Sequence, residues 1–463
     1  MNKKLNYSIL SISVATSLII QGCTTTSYNP ESTSKVLNEK VGDLPSSWAM
    51  VAEQVGQVEA GWLSSFNDPR LTVLVQEAQQ NNFNLQAAAE NVNISRALVN
   101  QAGAALSPQL GVSVGGSEGG AVEGSSSGSF NASLQASWEL DVWGRLAAGE
   151  QAAFQSLKAA EADYTFAQYS LAAGVSKAYF ISIEAIKQAE LAQQTFDAVK
   201  ETARITQVKF NNGMADQQDI SLANAELSSA EDALISSKGG QRDAIRALEL
   251  LLGRYPSAEL AVNANLPSVP DAPQAGVPSD ILERRPDIIA AERLVAAAFN
   301  KLEQAQAAKL PSVSLTGSLG GTSNGLSNLL NPANLAWQAI GSLAAPILDG
   351  GRLDAQVQAA TAEQKAAVAS YAQAALSAFS DVETALDLGQ VLRQRSVALE
   401  SSLTSAENAL RIANLKYEEG ETSLLEVLQI QQRVFSARRN VLSINRALLT
   451  QYVDLSLALG GEW

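Results

Sequence analysis

The chain has 463 residues, 46% hydrophobic and 17% charged, with 32 Lys and Arg against 47 Asp and Glu and a formal net charge of −15. It has no histidine and one cysteine, which excludes histidine-dependent acid–base catalysis, His/Cys metal clusters and an intrachain disulfide. The acidic balance argues against a polyanionic partner, and an apolar fraction drawn largely from Ala suits long, closely packed helices better than a compact enzyme core.

Residues 1–22 read as a secretory signal. Lys3 and Lys4 form its positive end, and Ile9 to Ile20 form an apolar stretch too short to remain as a membrane-spanning helix. Ile20-Gln21-Gly22-Cys23 follows and resembles the bacterial lipobox, with Gln21 where a small residue is usual. Cys23 is then the lipidated first residue of the mature chain, and residues 23–67 an extended segment behind it. Thr24 stands where an Asp would resemble an inner-membrane retention signal, so the expected address is the outer membrane. A single lipid anchor binds reversibly, so a second membrane-holding device is expected elsewhere.

The remainder is one unit written twice. Lys209-Phe210-Asn211-Asn212-Gly213 returns as Lys416-Tyr417-Glu418-Glu419-Gly420, Gly144-Arg145-Leu146 as Gly351-Arg352-Leu353, and Leu252-Gly253 as Leu459-Gly460, each 207 residues on. Upstream, Pro108 faces Pro311 at an offset of 203, so four extra residues fall between these landmarks. The repeats are residues 68–253 and 281–463, joined by a Pro-rich linker at 254–280.

Proline marks where helices cannot run, because a helix interior rejects it at about 3 kcal/mol. None of the 13 prolines lies within 144–252 or 351–463. Each tract reads as a coiled-coil hairpin, 144–252 and 351–459, folding back at Gly213 and Gly420. Residues 144–211 alone would make a helix of roughly 100 Å. Along it Leu157, Tyr164, Leu171, Ala178, Ala185, Ala192 and Val199 recur every seven residues, beside a row of Ala153, Ala160, Ala167, Gly174 and Ile181. Shorter helices are expected at about 69–105 and 284–309, the second starting at Arg285-Pro286-Asp287.

Residues 107–142 and 310–348 are rich in Gly and Ser and alternate apolar with polar, as in Val313-Ser314-Leu315-Thr316-Gly317-Ser318-Leu319. Each reads as a β-hairpin, and the second carries no charge over its length. With Trp138, Trp143 and Trp337 suited to an interface belt, these strands are expected to face lipid. Four strands cannot close a barrel, and an open edge in lipid is prohibitive. Several chains must share one barrel, and three would supply 12 strands.

The order of lipobox, paired helices, β-hairpin, long coiled-coil hairpin and Pro-rich linker, then the whole again, resembles the outer membrane factor family, the TolC-like exit ducts of Gram-negative tripartite efflux and type I secretion. The most specific match is the tip Tyr417-Glu418-Glu419-Gly420-Glu421-Thr422-Ser423-Leu424-Leu425-Glu426-Val427-Leu428-Gln429, and DVWGRL (141–146) and LDGGRL (348–353) resemble the family's strand-to-helix junctions. The resemblance implies a trimer: a 12-stranded outer-membrane β-barrel, four strands per chain, continued by a periplasmic α-helical coiled-coil barrel. It implies an outer-membrane lipoprotein that passes drugs and toxic compounds outward and is no enzyme. Its partners would be a periplasmic adaptor and, indirectly, an inner-membrane pump. No cofactor is implied beyond the lipid at Cys23, and no metal site. Three Met and no His do not suit a duct lined with soft-metal ligands. Position by position, Glu426 falls on a family acid of the periplasmic constriction and Gln429 where another acid often sits. Asp219 is the repeat partner of Glu426, and Gly213, Gly420 and Asp219 are the candidate adaptor-docking tips. A protein-secretion duct, or a coiled-coil lipoprotein that forms no channel, are the alternatives.

Overall fold

The structure, a computed structural model, describes residues 45, 47–49, 61–120, 122–123, 126–329 and 331–462. The signal segment and Cys23 lie outside the described residues. In chain order the elements are α1 (Pro69–Asn81), α2 (Phe83–Ala104), β1 (Gln109–Gly120), β2 (Ser126–Leu140), α3 (Arg145–Asn211) and α4 (Gln217–Leu251). The second repeat gives α5 (Asp280–Arg284), α6 (Pro286–Ala307), β3 (Ser312–Ser323), β4 (Leu335–Ala344), α7 (Arg352–Glu419) and α8 (Leu424–Ala458). The chain divides into two compact units, one centred on the strands and one on the helices, and α2, α3, α6 and α7 contribute to both.

In the strand unit the four strands form one antiparallel sheet in the order β1-β2-β3-β4, so β2 and β3 join the two repeats and β1 and β4 are its edges. Its register gives the sheet two unlike faces. Val112 faces Leu134, Leu134 faces Leu319 and Leu319 faces Trp337. The same face carries Leu110, Val114, Trp138, Leu315 and Leu343, all exposed. The other face carries Ser113, Ser133, Gln135, Ser318 and Gln338, with Gln135 paired to Ser318 and Ser318 to Gln338. Ile340 is an apolar exception there, opposite Thr316. The four extra residues of the second repeat are spread out: a longer turn and a longer junction before α7, offset by a β4 of 10 residues against 15 in β2.

The two junctions explain their motifs. After β2, Asp141 accepts from the N–H groups of Leu146 (3.0 Å) and Ala147 (2.7 Å), capping α3, while Arg145 pairs with Glu139 at 2.7 Å. After β4, Asp349 accepts from Leu353 N–H (2.9 Å) and Gly351 N–H (3.0 Å). The Leu353 bond does most to hold its carboxyl below the usual range. Trp143 is half-buried here and donates to Pro311 O at 2.6 Å, so it belongs to the junction, whereas Trp337 stands 78% exposed on the apolar face.

In the helical unit the core gathers Phe66, Leu71, Leu74, Val75, Tyr179, Phe180, Ile183, Leu248, Leu252, Leu449 and Val453. Phe66 stands edge-on to Phe180 (5.0 Å) and Tyr452 (5.3 Å). Asp68 caps α1 and accepts from Tyr179 Oη at 2.8 Å. Of the sevenfold row expected on α3, Leu171 and Ala178 pack against this core; Leu157 and Val199 are buried elsewhere along the helix, Tyr164, Ala185 and Ala192 are half-buried, and Ile181 of the companion row is exposed. Ala172, Val175, Ser176, Tyr179, Phe180, Ser182 and Ile183 are fully buried at the level where α1, α4 and α8 converge on α3.

The first short helix expected before the strands is not continuous, whereas the second runs as expected, from Pro286 to Ala307. The first breaks at Asn82, whose side chain caps Leu85 N–H (3.0 Å) and donates to Leu251 O (2.9 Å). The corresponding break lies 203 residues on, at Arg285, between α5 and the start of α6; its buried guanidinium pairs with Asp287 (2.8 Å) and Asp381 (3.1 Å) and donates to Ala458 O (3.3 Å). In both repeats a buried polar side chain ties the break to the end of the hairpin's second helix, and Pro286 then opens α6.

Candidate functional site at the helical tips

The two hairpin tips use one backbone device. At the first, Met214 N–H donates to Lys209 O (2.8 Å) and Gly213 N–H to Phe210 O (2.9 Å), with Gly213 at φ +71°. At the second, Glu421 N–H donates to Lys416 O (2.8 Å) and Gly420 N–H to Tyr417 O (3.2 Å), with Gly420 at φ +79°. This left-handed C-cap requires glycine at each tip. A methyl group added at either would meet nothing within 4 Å, so both glycines leave their backbone open on its outer side.

The return helices start on acids. Asp216 caps α4, accepting from Asp219 N–H at 2.9 Å while Asp219 accepts from Asp216 N–H at 3.2 Å, a reciprocal capping box. Ser423 caps α8, accepting from Glu426 N–H at 3.3 Å. The Glu426 carboxylate turns back to accept from Thr422 Oγ1 at 2.5 Å. Asp219 and Glu426 therefore hold the same third position of their helices, where an acid complements the helix N-terminus. Glu426 and Gln429 are both exposed. Leu424, Val427 and Leu428 are buried beneath them, and Leu425 is 44% exposed.

The tips also bind each other. Lys209 sets its ammonium 3.6 Å from the centre of the Tyr417 ring and donates to Tyr417 O at 3.0 Å. Leu424 and Leu428 pack on Ala223, with Tyr417, Leu222 and Ala203 around them. Deeper, Gln432 donates to Glu226 at 2.9 Å. This link was not read from the sequence, although Lys209 and Tyr417 stood there as a repeated Lys-aromatic pair.

A second unanticipated feature ties the linker down. Glu249, 2% exposed in the last turn of α4, accepts from the N–H groups of Ala258 (2.7 Å), Glu259 (3.0 Å) and Leu260 (3.0 Å). Burial pushes its carboxyl up, but those donors and Ser257 outweigh burial and hold it below the usual value. No group of His, Cys, Asp and Glu suited to a metal ion occurs among the described residues.

Residues 74–254 and 277–461 each match the family described as Outer membrane efflux protein. The Cation efflux system protein CusC of Escherichia coli O6:H1 is 32% identical over 407 residues, covering 87% of this chain and 88% of its own. The Pyoverdine export outer membrane protein OpmQ of Pseudomonas aeruginosa is 30% identical over 437 residues, covering 90% and 91%. Among solved structures, the open state of the Neisseria gonorrhoeae MtrE outer membrane channel superposes with a TM-score of 0.81 at 30% identity, covering 90% of this chain and 96% of that one. The family match falls once on each repeat, over the same hairpins and tips described above, and the chain belongs to the outer membrane efflux protein family.

Proposed function

We propose that this outer-membrane efflux protein works as a homotrimeric exit duct, without catalytic activity. It would take small molecules from an inner-membrane pump through a periplasmic adaptor and release them outside. The observation that carries this reading is the sheet. Its register puts Val112, Leu134, Leu319 and Trp337 in one exposed apolar row, while Ser113, Gln135, Ser318 and Gln338 line the reverse face. A sheet apolar on one face and polar on the other suits a wall between lipid and water. With β1 and β4 as open edges it cannot stand alone in hydrocarbon. Three four-stranded sheets supply 12 strands and pair every edge. No helix among the described residues is long and apolar enough to cross a membrane, which leaves the strands that task.

The tips would meet the adaptor, with Gly213 and Gly420 offering bare backbone to a partner's side chains and Asp219 beside the first. Glu426, with Gln429 one turn on, would line the narrow periplasmic end, where three symmetry copies of one acid favour cations. A lipid on Cys23 would supply the second hold on the membrane. The relatives above are named for different cargoes, a cation and pyoverdine, which supports a duct whose pump selects the substrate. Light scattering on detergent-solubilised protein, corrected for bound detergent, should give three chains of at most 48.7 kDa each. A monodisperse monomer with intact strand content would overturn the reading.

A further inference from the structure

The two repeats finish their hairpins differently. By the offset of 207, Ile245 and Glu249 of α4 correspond to Tyr452 and Ser456 of α8. In the first repeat the chain leaving α4 turns back onto this place, and Ala258, Glu259 and Leu260 give their N–H groups to Glu249. In the second, the Ser456 hydroxyl bonds to Tyr452 O within its own helix (2.8 Å), and beside it lies a cavity of about 550 Å³. Its walls are the turn 61–67, linker residues 268–274 and the end of α8 with Gly461.

These walls are pinned by bonds outside the cavity. Gly61 and Asn67, both left-handed at φ +84° and +49°, bracket the short helix Trp62–Phe66. Gly61 N–H donates to Glu462 O at 2.7 Å, and Trp48 Nε1 donates to Ala275 O at 3.0 Å, one residue past the linker wall. The volume is that of a small-molecule site, formed before anything enters it.

What lines the space is polar and unpaired. Trp62 is 4% exposed and Tyr452 6%, yet neither the indole Nε1 nor the phenol oxygen has a hydrogen-bond partner among the described residues. Buried Trp and Tyr usually find one, as Trp48, Trp143 and Tyr179 do on Ala275 O, Pro311 O and Asp68. The polar side-chain atoms both unpaired and sealed from solvent among the described residues belong to Gln155, Glu383 and Gln431. Those of Trp62 and Tyr452 are thus unpaired but reachable, and the cavity is what both residues line. Packing does not ask for the Tyr452 hydroxyl. Its ring meets Phe66 edge-on at 5.3 Å, and the corresponding residue of the first repeat, Ile245, is buried without any polar atom.

The lining also selects the guest. No Lys or Arg lines the cavity among the described residues, so an anion finds no counter-charge. An apolar guest would leave Trp62 Nε1 and the Tyr452 hydroxyl stranded. Asn67, Gln274 and Asp271 stand exposed around the opening, with no side-chain hydrogen bond of their own among the described residues. A sugar brings hydroxyls that both donate and accept, and C–H faces that suit Pro270 and Pro273. We propose that this cavity binds a neutral saccharide, Trp62 Nε1 donating to it and Tyr452 Oη and Asp271 accepting from its hydroxyls. The site is independent of the duct and of the trimer.

Isothermal titration calorimetry on the full-length protein, in a detergent without a sugar head, tests this with maltotriose and with the N-acetylglucosamine trimer. Saturable heat from either is expected, and the tighter of the two tells a plain hexose chain from an acetamido one. Tyr452→Phe keeps the ring and should weaken binding about fivefold, the loss of one hydrogen bond. Gln274→Ala, at the exposed opening, should do the same. Without sugar, Tyr452→Phe should melt no lower than the parent, because the hydroxyl has no partner to lose. Heat from neither sugar, or affinity unchanged in both variants, overturns the site. A trimer of galacturonate or of glucosamine that binds more tightly than both neutral sugars overturns the class of ligand. A lower melting temperature in Tyr452→Phe places the partner of the hydroxyl within the protein and overturns the proposal as well.

Discussion

Replacing Glu426 by Ala separates two duties of one carboxylate. Its structural duty is small. It lies exposed at the third position of α8, bonded to Thr422 Oγ1, while the apolar contacts of the tip belong to Leu424, Val427 and Leu428. Losing an acid beside a helix N-terminus costs about 0.3–1 kcal/mol, and losing an exposed hydrogen bond costs about 1 kcal/mol at most. The trimer should therefore assemble. Its electrical duty is larger if three copies surround one axis. A cation about 10 Å from each carboxylate in water gains roughly 0.4 kcal/mol per acid. Three acids give roughly 1.2 kcal/mol, near a sevenfold local enrichment. Salt should erase the effect, since the screening length falls from about 10 Å at 0.1 M to about 3 Å at 1 M. Reversal potentials across planar bilayers should thus show a several-fold loss of cation preference in Glu426→Ala at about 0.01 M, where the screening length is about 30 Å, about a twofold loss at 0.1 M, and little difference near 1 M. Block by divalent and trivalent cations should weaken in parallel. Asp219→Ala is the comparison: it breaks a capping box, costs about 1 kcal/mol of stability, and should leave selectivity nearly unchanged. Unaltered selectivity in Glu426→Ala together with a large loss in Asp219→Ala would refute the assignment of the second tip to the pore.

Two further outcomes are expected. Glu249→Ala leaves three backbone donors of the linker without their acceptor, one of them buried, and should destabilise the helical unit by about 1–3 kcal/mol, read as denaturant unfolding and faster proteolysis between 254 and 280; linker cleavage at the parental rate would count against it. Because the folded carboxyl lies below its ordinary 4.5, its contribution is complete above pH 4.5 and disappears as pH falls through the lower folded value, so parent and Glu249→Gln should converge in acid. Cys23→Ser should abolish incorporation of labelled palmitate while the strands still insert, since the lipid adds membrane affinity rather than fold; equal labelling of both proteins would reject lipidation at Cys23.

What the sequence disclosed about the fold was whatever the backbone itself enforces. Absence of Pro exposed the long helices, period-two alternation exposed the four strands, and the glycines of the tips announced a left-handed turn. The break at Asn82 was missed because it is made by a tertiary bond, to Leu251 O, and Asn82 is no helix breaker in itself. The boundary at Arg285 was legible because Pro286 follows it. The sevenfold row on α3 was displaced for a related reason. Burial at Ala172, Val175 and Tyr179 is imposed by α1 and α4 arriving from elsewhere in the chain, and no periodicity within α3 records their approach.

The site was legible to a different depth at each residue. Gly213 and Gly420 announce themselves, because an open left-handed turn admits little else. Glu426 does not, because two causes ask for the same residue. Its repeat partner Asp219 is also acidic, yet Asp219 is fully occupied in a capping box with Asp216. An acid at the third position of a return helix is thus accounted for by the helix start alone, whether or not a channel axis lies nearby. The side chains separate the two cases where the sequence does not. Ser423 caps α8 through its hydroxyl as Asp216 caps α4 through its carboxylate, but where Asp219 accepts from the cap residue's N–H, the Glu426 carboxylate accepts from Thr422 Oγ1, a bond exposed to water. An acid released from the cap can serve a pore. The distinction also runs through Gln429, whose repeat partner Leu222 packs at the tip cluster. There the second repeat has exchanged an apolar contact for an exposed polar group, a change that helix formation does not require. Divergence between equivalent positions under one shared backbone device is what the proposed pore role of the second hairpin requires, and Glu426 and Gln429 are two positions where it occurs.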